Sequence, residues 1–183
     1  MKLKLLLLVL ALQSAWLLGT VFVQERALAT GKTILLEARR VDPRDVLRGD
    51  YLILNYSISD VPRKLFSPPV AKELPVSAKI FVALVPGTNR FYEVRRASTN
   101  EIMPAADELV LRGKSDYAWW AATNSIHVAY GIEHYFVAEG TGNPAGKLTV
   151  EAVVPASGRA GIRQVFVDGK PYAEAMKNSA GSQ

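Results

Sequence analysis

Cysteine is absent from the 183 residues. That excludes a disulfide scaffold, a thiol nucleophile, thiolate zinc sites and cysteine-ligated iron–sulfur clusters. Histidine occurs only twice, at His127 and His134, too rarely for a multi-histidine metal centre. Asp42, Asp45 and Asp50 do not have the spacing of a calcium loop, and ion pairing with Arg39, Arg40, Arg44 and Arg48 explains them better. No metal and no cofactor is therefore expected. A dense basic stripe is missing too. The net charge is +5, from 22 basic and 17 acidic residues, and the basic clusters are pairs only: Arg39-Arg40, Arg63-Lys64 and Arg95-Arg96. A nucleic-acid surface needs more, so no nucleic acid is expected as partner. No Gly-x-Ser-x-Gly elbow occurs, and nothing selects Ser57 with Lys79 or Lys147 as a nucleophile and its base. Arg48-Gly49-Asp50 is the adhesion tripeptide, but it is short and flows directly into a strand pattern.

What the chain does have is one long apolar run. Leu5 to Val23 is interrupted only by Gln13 and Ser14 as clearly polar residues. As a helix it would extend about 28 Å, close to the hydrocarbon thickness of a bilayer. It has no polar face, which argues against a core helix of a soluble protein. Lys2 and Lys4 precede it, so the positive-inside rule places the N-terminus in the cytoplasm and the remainder outside. Ala27-Leu28-Ala29 fits a small-x-small cleavage site, which makes a signal peptide cut after Ala29 the rival reading. The length of the run favours an uncleaved anchor over residues 1–29.

Beyond Gly31 the pattern turns to strands. Thr33 to Ala38 reads as the first. In Tyr51 to Ser59, Leu52, Leu54, Tyr56 and Ile58 share one face, while Tyr51, Ile53, Asn55, Ser57 and Ser59 share the other. That period of two predicts a half-buried strand. Four prolines between Asp60 and Pro75 make that stretch mostly loop. Further strands are read at Lys79–Val85, Arg90–Arg96, Leu109–Leu111, Ser125–Val137, Leu148–Val154 and Gly161–Val167. From Glu174 a short helix fraying into a flexible tail, residues 174–183, is expected. Trp119-Trp120 reads as one core and one rim tryptophan, with membrane-interface contact or a recognition surface as the alternative.

Two parts of this strand region resemble each other. Leu47-Arg48-Gly49 followed by Leu52, Leu54, Tyr56 and Ile58 is matched by Leu111-Arg112-Gly113 followed by Ile126, Val128, Tyr130 and Ile132. Lys79-Ile80-Phe81-Val82 is matched by Lys147-Leu148-Thr149-Val150, and Val85-Pro86 by Val154-Pro155. The fold expected over residues 30–173 is therefore mainly β, a β-barrel or β-sandwich, with an internally duplicated half-barrel over 33–96 and 109–167.

Gly49-Asp50-Tyr51-Leu52-Ile53-Leu54-Asn55-Tyr56-Ser57-Ile58 resembles the signature of a bacterial family called after its motif, GDYXXLXYXI, at every fixed position. Tyr130 to Val137 with Glu139-Gly140 is similar to that family's second recurring segment, although Ala138 stands where proline is usual. The resemblance implies a membrane-anchored protein that accompanies a polytopic membrane protein. It implies no catalytic residue. Physically, most of the motif serves folding, and Tyr51 points away from the core. The expectation is a non-enzymatic, extracytoplasmic interaction module that meets its partner through Arg48, Asp50, Tyr51, Glu133 and His134. Two other classes compete: an exported enzyme acting on envelope material through Asp50, Glu133 or His134, and a small-ligand binder in a β-barrel mouth.

Overall fold

The computed structural model describes residues 2–41, 51–70, 74–116, 124–137 and 146–180, with side chains for all of these but 2, 3, 40, 41, 51 and 178–180. The apolar run forms helix α1, Lys2–Thr30. Its side chains from Lys4 to Glu25 are exposed, and the stretch Lys4–Thr30 is long and apolar enough to cross a membrane. Gly31 alone separates α1 from strand β1, Lys32–Val41. The joint is tight, since a Cβ on Gly31 would lie 2.4 Å from Val153 Cγ1 and 3.0 Å from the Pro155 nitrogen. Only glycine fits there without displacing that strand. Just before the joint, Leu28 packs over Gly161, where a Cβ would come within 2.7 Å of Leu28 Cδ2.

The remaining strands are β2 Tyr51–Tyr56, β3 Asp60–Pro62, β4 Lys79–Pro86, β5 Tyr92–Ser98, β6 Leu109–Asp116, β7 Ser125–Ala129, β8 His134–Phe136, β9 Leu148–Val154, β10 Gly161–Val167 and β11 Lys170–Pro171. Helix α2, Tyr172–Ala180, follows. The first sheet, a curled half-barrel, runs β11-β10-β9-β1-β2-β8, and the second runs β3-β7-β6-β4-β5. One core lies between them, with Leu36, Leu54 and Val150 from the first sheet against Val82, Leu111 and Val128 from the second. Burial alternates along β1, β2 and β7 because one sheet face meets this core, whereas β4 is buried from Ile80 to Leu84. Two devices cover the sheet edges. Phe66, just past β3, bridges to Ala97 of β5, and Tyr135 of β8 meets Tyr172 of α2 edge-to-face at 5.7 Å.

The sheets are built by strand exchange between two similar halves. Replace β1–β5 by β6–β10, and the reverse, and the order β10-β9-β1-β2-β8 becomes β5-β4-β6-β7-β3. The register agrees residue by residue. Ile53 pairs with His134, and Asp60 with His127; Leu52 pairs with Tyr135, and Val61 with Ile126. Both outer hairpins even carry the same irregularity. Pairing steps from Ala83–Arg96 to Leu84–Val94, leaving out Arg95, and from Glu151–Gln164 to Ala152–Ile162, leaving out Arg163. One extra residue at one matching point in each hairpin is a β-bulge held in common.

The halves are clasped at their centre by the two motif tyrosines. Tyr56 donates its hydroxyl hydrogen to the carbonyl of Ile132 (2.6 Å), and Tyr130 donates to the carbonyl of Ile58 (2.7 Å). Each tyrosine thus bonds the residue two places beyond the other. The backbone repeats the exchange, since Leu54 N–H donates to Glu133 O and Val128 N–H to Ser59 O. Burial, and then the nearby Glu133 charge, push both phenols well above their ordinary value, so both remain neutral donors.

Several expectations need correction. The run read as one strand from Ser125 to Val137 is two, broken at Gly131, whose φ of 84° suits glycine. Leu111-Arg112-Gly113 belongs to β6, the counterpart of β1 and not of the segment 47–49, which lies outside the described residues. The short helix expected from Glu174 is α2, which begins two residues earlier at Tyr172 and is seated through buried Tyr172 and Met176. Trp119 and Trp120 lie outside the described residues.

Candidate functional site

The β2–β8 edge collects most of the residues singled out in the sequence. Antiparallel pairing sets Tyr51 opposite Phe136 and Ile53 opposite His134. His134 and Phe136, two residues apart on β8, emerge on the outer face, and Phe136 is 77% exposed. Tyr135 between them turns inward to Tyr172. The structure therefore brings Tyr51, Glu133 and His134 to one edge, while Arg48 and Asp50 lie outside the described residues.

Glu133 has a local task. Its carboxylate accepts from the backbone N–H groups of Tyr130 and of Gly131 (2.9 Å), closing the turn between β7 and β8. A carboxylate held by two amides orders the turn that delivers His134 and Phe136 to the edge. It is thus a positioning group for that edge, and the same bonds occupy both of its oxygens.

Two features escaped sequence reasoning. The first is a carboxylate–imidazole pair. The side chain of His127 is only 10% exposed, and its Nδ1–H donates to Asp60 Oδ1 at 2.7 Å. An ionised carboxylate only accepts, which fixes the proton on Nδ1. The partners come from different halves, and β3 meets β7 through a pairing that local periodicity does not encode. The second is a cleft on the outer face of the second sheet, where Arg112 of β6 lies over the ring of Phe81 of β4, 5.5 Å from its centroid. Beside it Glu108 is held by Arg96 through paired bonds of 3.0 and 2.7 Å and by the Ala105 N–H. Chiefly the Arg96 bond lowers the Glu108 pKa to about 2. Among the described residues no group of three or more His, Asp or Glu could hold a metal ion.

The motif's backbone and side chains thus form the junction between the two halves, and the match to known families covers that junction with both outer hairpins. The model of the family described as GDYXXLXY protein matches residues 13–165. The chain belongs to the GDYXXLXY family. The matched span opens within α1 and closes within β10. No curated protein and no solved structure matches the chain. Within this GDYXXLXY domain, Leu54, Tyr56 and Ile58 of the signature are buried, as their spacing predicts.

Proposed function

We propose that this GDYXXLXY protein is a membrane-anchored, extracytoplasmic interaction module. Its N-terminus is cytoplasmic, its β domain is periplasmic or extracellular, and its partner is an integral membrane protein. One observation carries the reading: a single residue joins the apolar helix to the first strand. With Gly31 wedged against Val153 and Pro155, and Leu28 against Gly161, the domain has no slack linker on which to roam. An uncleaved α1 in a bilayer holds it at the surface, which raises its effective concentration toward membrane-embedded partners. The motif's own groups support a binding role over a catalytic one. The two tyrosine hydroxyls clasp the halves, and Glu133 closes a turn. The β8 edge, with exposed His134 and Phe136, is the surface offered to the partner.

The test has two arms. A reporter fused after Gln183 is active only outside the cytoplasm on this reading, and cytoplasmic activity refutes it. A photo-crosslinking residue replacing Phe136 in the full chain, followed by gentle detergent extraction, yields an adduct with a polytopic membrane protein. The same probe at Glu174 on α2 serves as the comparison. Equal yield from both positions, or no membrane protein in either, refutes the β8 edge as the contact.

A further inference from the structure

The cleft beside Arg112 is a site that the family motif does not touch. It encloses about 580 Å³, within the range that accommodates a small ligand. Phe81, Ile102 and Met103 supply apolar wall, and Met103 stands 88% exposed at the rim. Arg112 is fixed at its backbone, where its N–H donates to Gly158 O at 2.8 Å, and its guanidinium rests on Phe81. Among the described residues, no ion pair or side-chain hydrogen bond engages Arg112. The same holds for Glu101, an exposed carboxylate on the wall. The other acid there, Glu108, is already neutralised by Arg96. One free cation and one free anion therefore face a partly apolar cleft.

Its place in the molecule indicates what it meets. The turn at Pro155–Gly158 forms one wall, and the Pro155 nitrogen is one of the atoms, after Val153 Cγ1, that a Cβ on Gly31 at the end of α1 would meet. From Val23, the end of the apolar run, α1 continues for about 12 Å to Gly31. The headgroup layer of a bilayer is about 5–8 Å deep on each side. An ordinary helix tilt of about 20° lowers one side of the domain toward it. With α1 spanning a bilayer and tilted toward the Pro155 side, the cleft would meet the outer margin of the headgroups.

We propose that this cleft binds the headgroup of a zwitterionic phospholipid from the leaflet beneath the domain. The phosphate pairs with Arg112, the ammonium pairs with Glu101, and Met103 and Ile102 meet the glycerol and upper acyl carbons. A guanidinium presents paired donors to phosphate oxygens, and its stacking on Phe81 holds that fork in orientation. The proposal rests on the anchored reading, because only α1 in a bilayer brings the cleft to the lipid.

Native mass spectrometry of the full chain in non-ionic detergent tests it, with dihexanoyl phosphatidylethanolamine, dihexanoyl phosphatidylglycerol and inorganic phosphate as the probes. The ethanolamine lipid is expected to bind at one saturable site and more tightly than the glycerol lipid. Arg112→Gln should weaken it about tenfold or more, the effect of losing one charge-assisted contact. Glu101→Gln should abolish the preference for the ethanolamine lipid while leaving phosphate-dependent binding. An unchanged thermal melt for both variants shows that folding is intact, and Glu101→Gln, in an exposed loop, keeps the test open if Arg112→Gln does not fold. Absence of saturable lipid binding, equal affinity for the two lipids, or an Arg112→Gln protein that binds like wild type overturns the proposal. Phosphate binding as tight as lipid also overturns it, marking a free-anion site. So does loss of a co-purifying membrane protein in Arg112→Gln without any lipid binding, marking a protein contact. Carbonate extraction of native membranes is run alongside: release of the chain refutes the anchor, whatever the detergent measurement shows.

Discussion

Removing the two hydroxyls that clasp the halves tests the strand-exchanged core. Tyr56→Phe and Tyr130→Phe keep the buried rings and delete one donor each, leaving the carbonyls of Ile132 and Ile58 without their bonds of 2.6 and 2.7 Å. An unpartnered buried carbonyl costs about 1–3 kcal/mol. The double variant should therefore lose about 2–6 kcal/mol, a large part of a typical total of about 5–15 kcal/mol. Matched geometry predicts single losses that agree within about 0.5 kcal/mol, the ordinary tolerance for comparing separate sites. Urea unfolding of the full chain in non-ionic micelles, followed by near-ultraviolet circular dichroism, measures all four proteins. Alkaline pH supplies an independent reading. Both phenols are raised above their ordinary value of 10.0 in the folded state, chiefly by burial. The stabilisation is complete below pH 10 and is lost as pH rises above it, because the unfolded chain releases protons that the folded chain retains. Two such groups give a slope of about −2.7 kcal/mol per pH unit, and the double variant removes that contribution. Losses below about 0.5 kcal/mol in both single variants, or an alkaline slope unchanged in the double variant, would refute the clasp as a source of stability.

Leu54→Ala, at a fully buried motif position, should cost about 2–5 kcal/mol in the same urea assay. Glu108→Gln should cost about 1–2 kcal/mol at neutral pH by weakening its contacts with Arg96 and Ala105. Because the folded-state pKa is depressed to about 2 from 4.5, that difference should be present above pH 4.5 and shrink as pH falls toward 2, read by acid titration of both proteins. Glu133→Ala should cost about 1–3 kcal/mol, with partial rescue by Glu133→Gln, since glutamine retains one acceptor for the Tyr130 and Gly131 amides. Phe136→Ala should change stability by no more than about 0.5 kcal/mol, its ring being 77% exposed, yet reduce recovery of the membrane partner.

The sequence disclosed what local periodicity can encode. Alternation from Leu52 to Ile58 identifies the buried face, and Lys147-Leu148-Thr149-Val150 aligns with Lys79-Ile80-Phe81-Val82 in the observed register, with Leu148 opposite Ala38 and Ile80 opposite Gly113. Leu-Arg-Gly misled because three residues do not fix a register: Arg112 of β6 is paired with Phe81 of β4, and its counterpart in β1 is Glu37, paired with Thr149 of β9. The pairing of His127 was not legible because its partner, Asp60, arrives from the other half. The two amide bonds of Glu133 depend on the Gly131 turn, which an unbroken strand pattern concealed. Arg112 was hidden for a similar reason. Its aromatic support and the turn that walls its cleft come from three distant segments, near residues 81, 102 and 156.

Strand exchange explains why the motif is central and the differences are peripheral. Neither half completes a sheet alone, since each sheet takes strands from both. The contacts shared by the two sheets must therefore satisfy both copies at once, and the reciprocal tyrosines do so with one residue type used twice. The outer faces carry no such constraint. At matching positions the first sheet has Glu37 closed by Lys147 at 2.9 Å, while the second has Arg112 over Phe81 with its guanidinium available. An exposed ion pair contributes little, so closing Glu37 is of small value to the fold. Its effect is to neutralise the charge at the first position, while Arg112 at the second stays available. The cleft beside Arg112 has the Pro155–Gly158 turn as its wall, next to the end of α1. Symmetry thus accounts for the core, and the departure from symmetry places an available charge beside the turn that meets the end of α1.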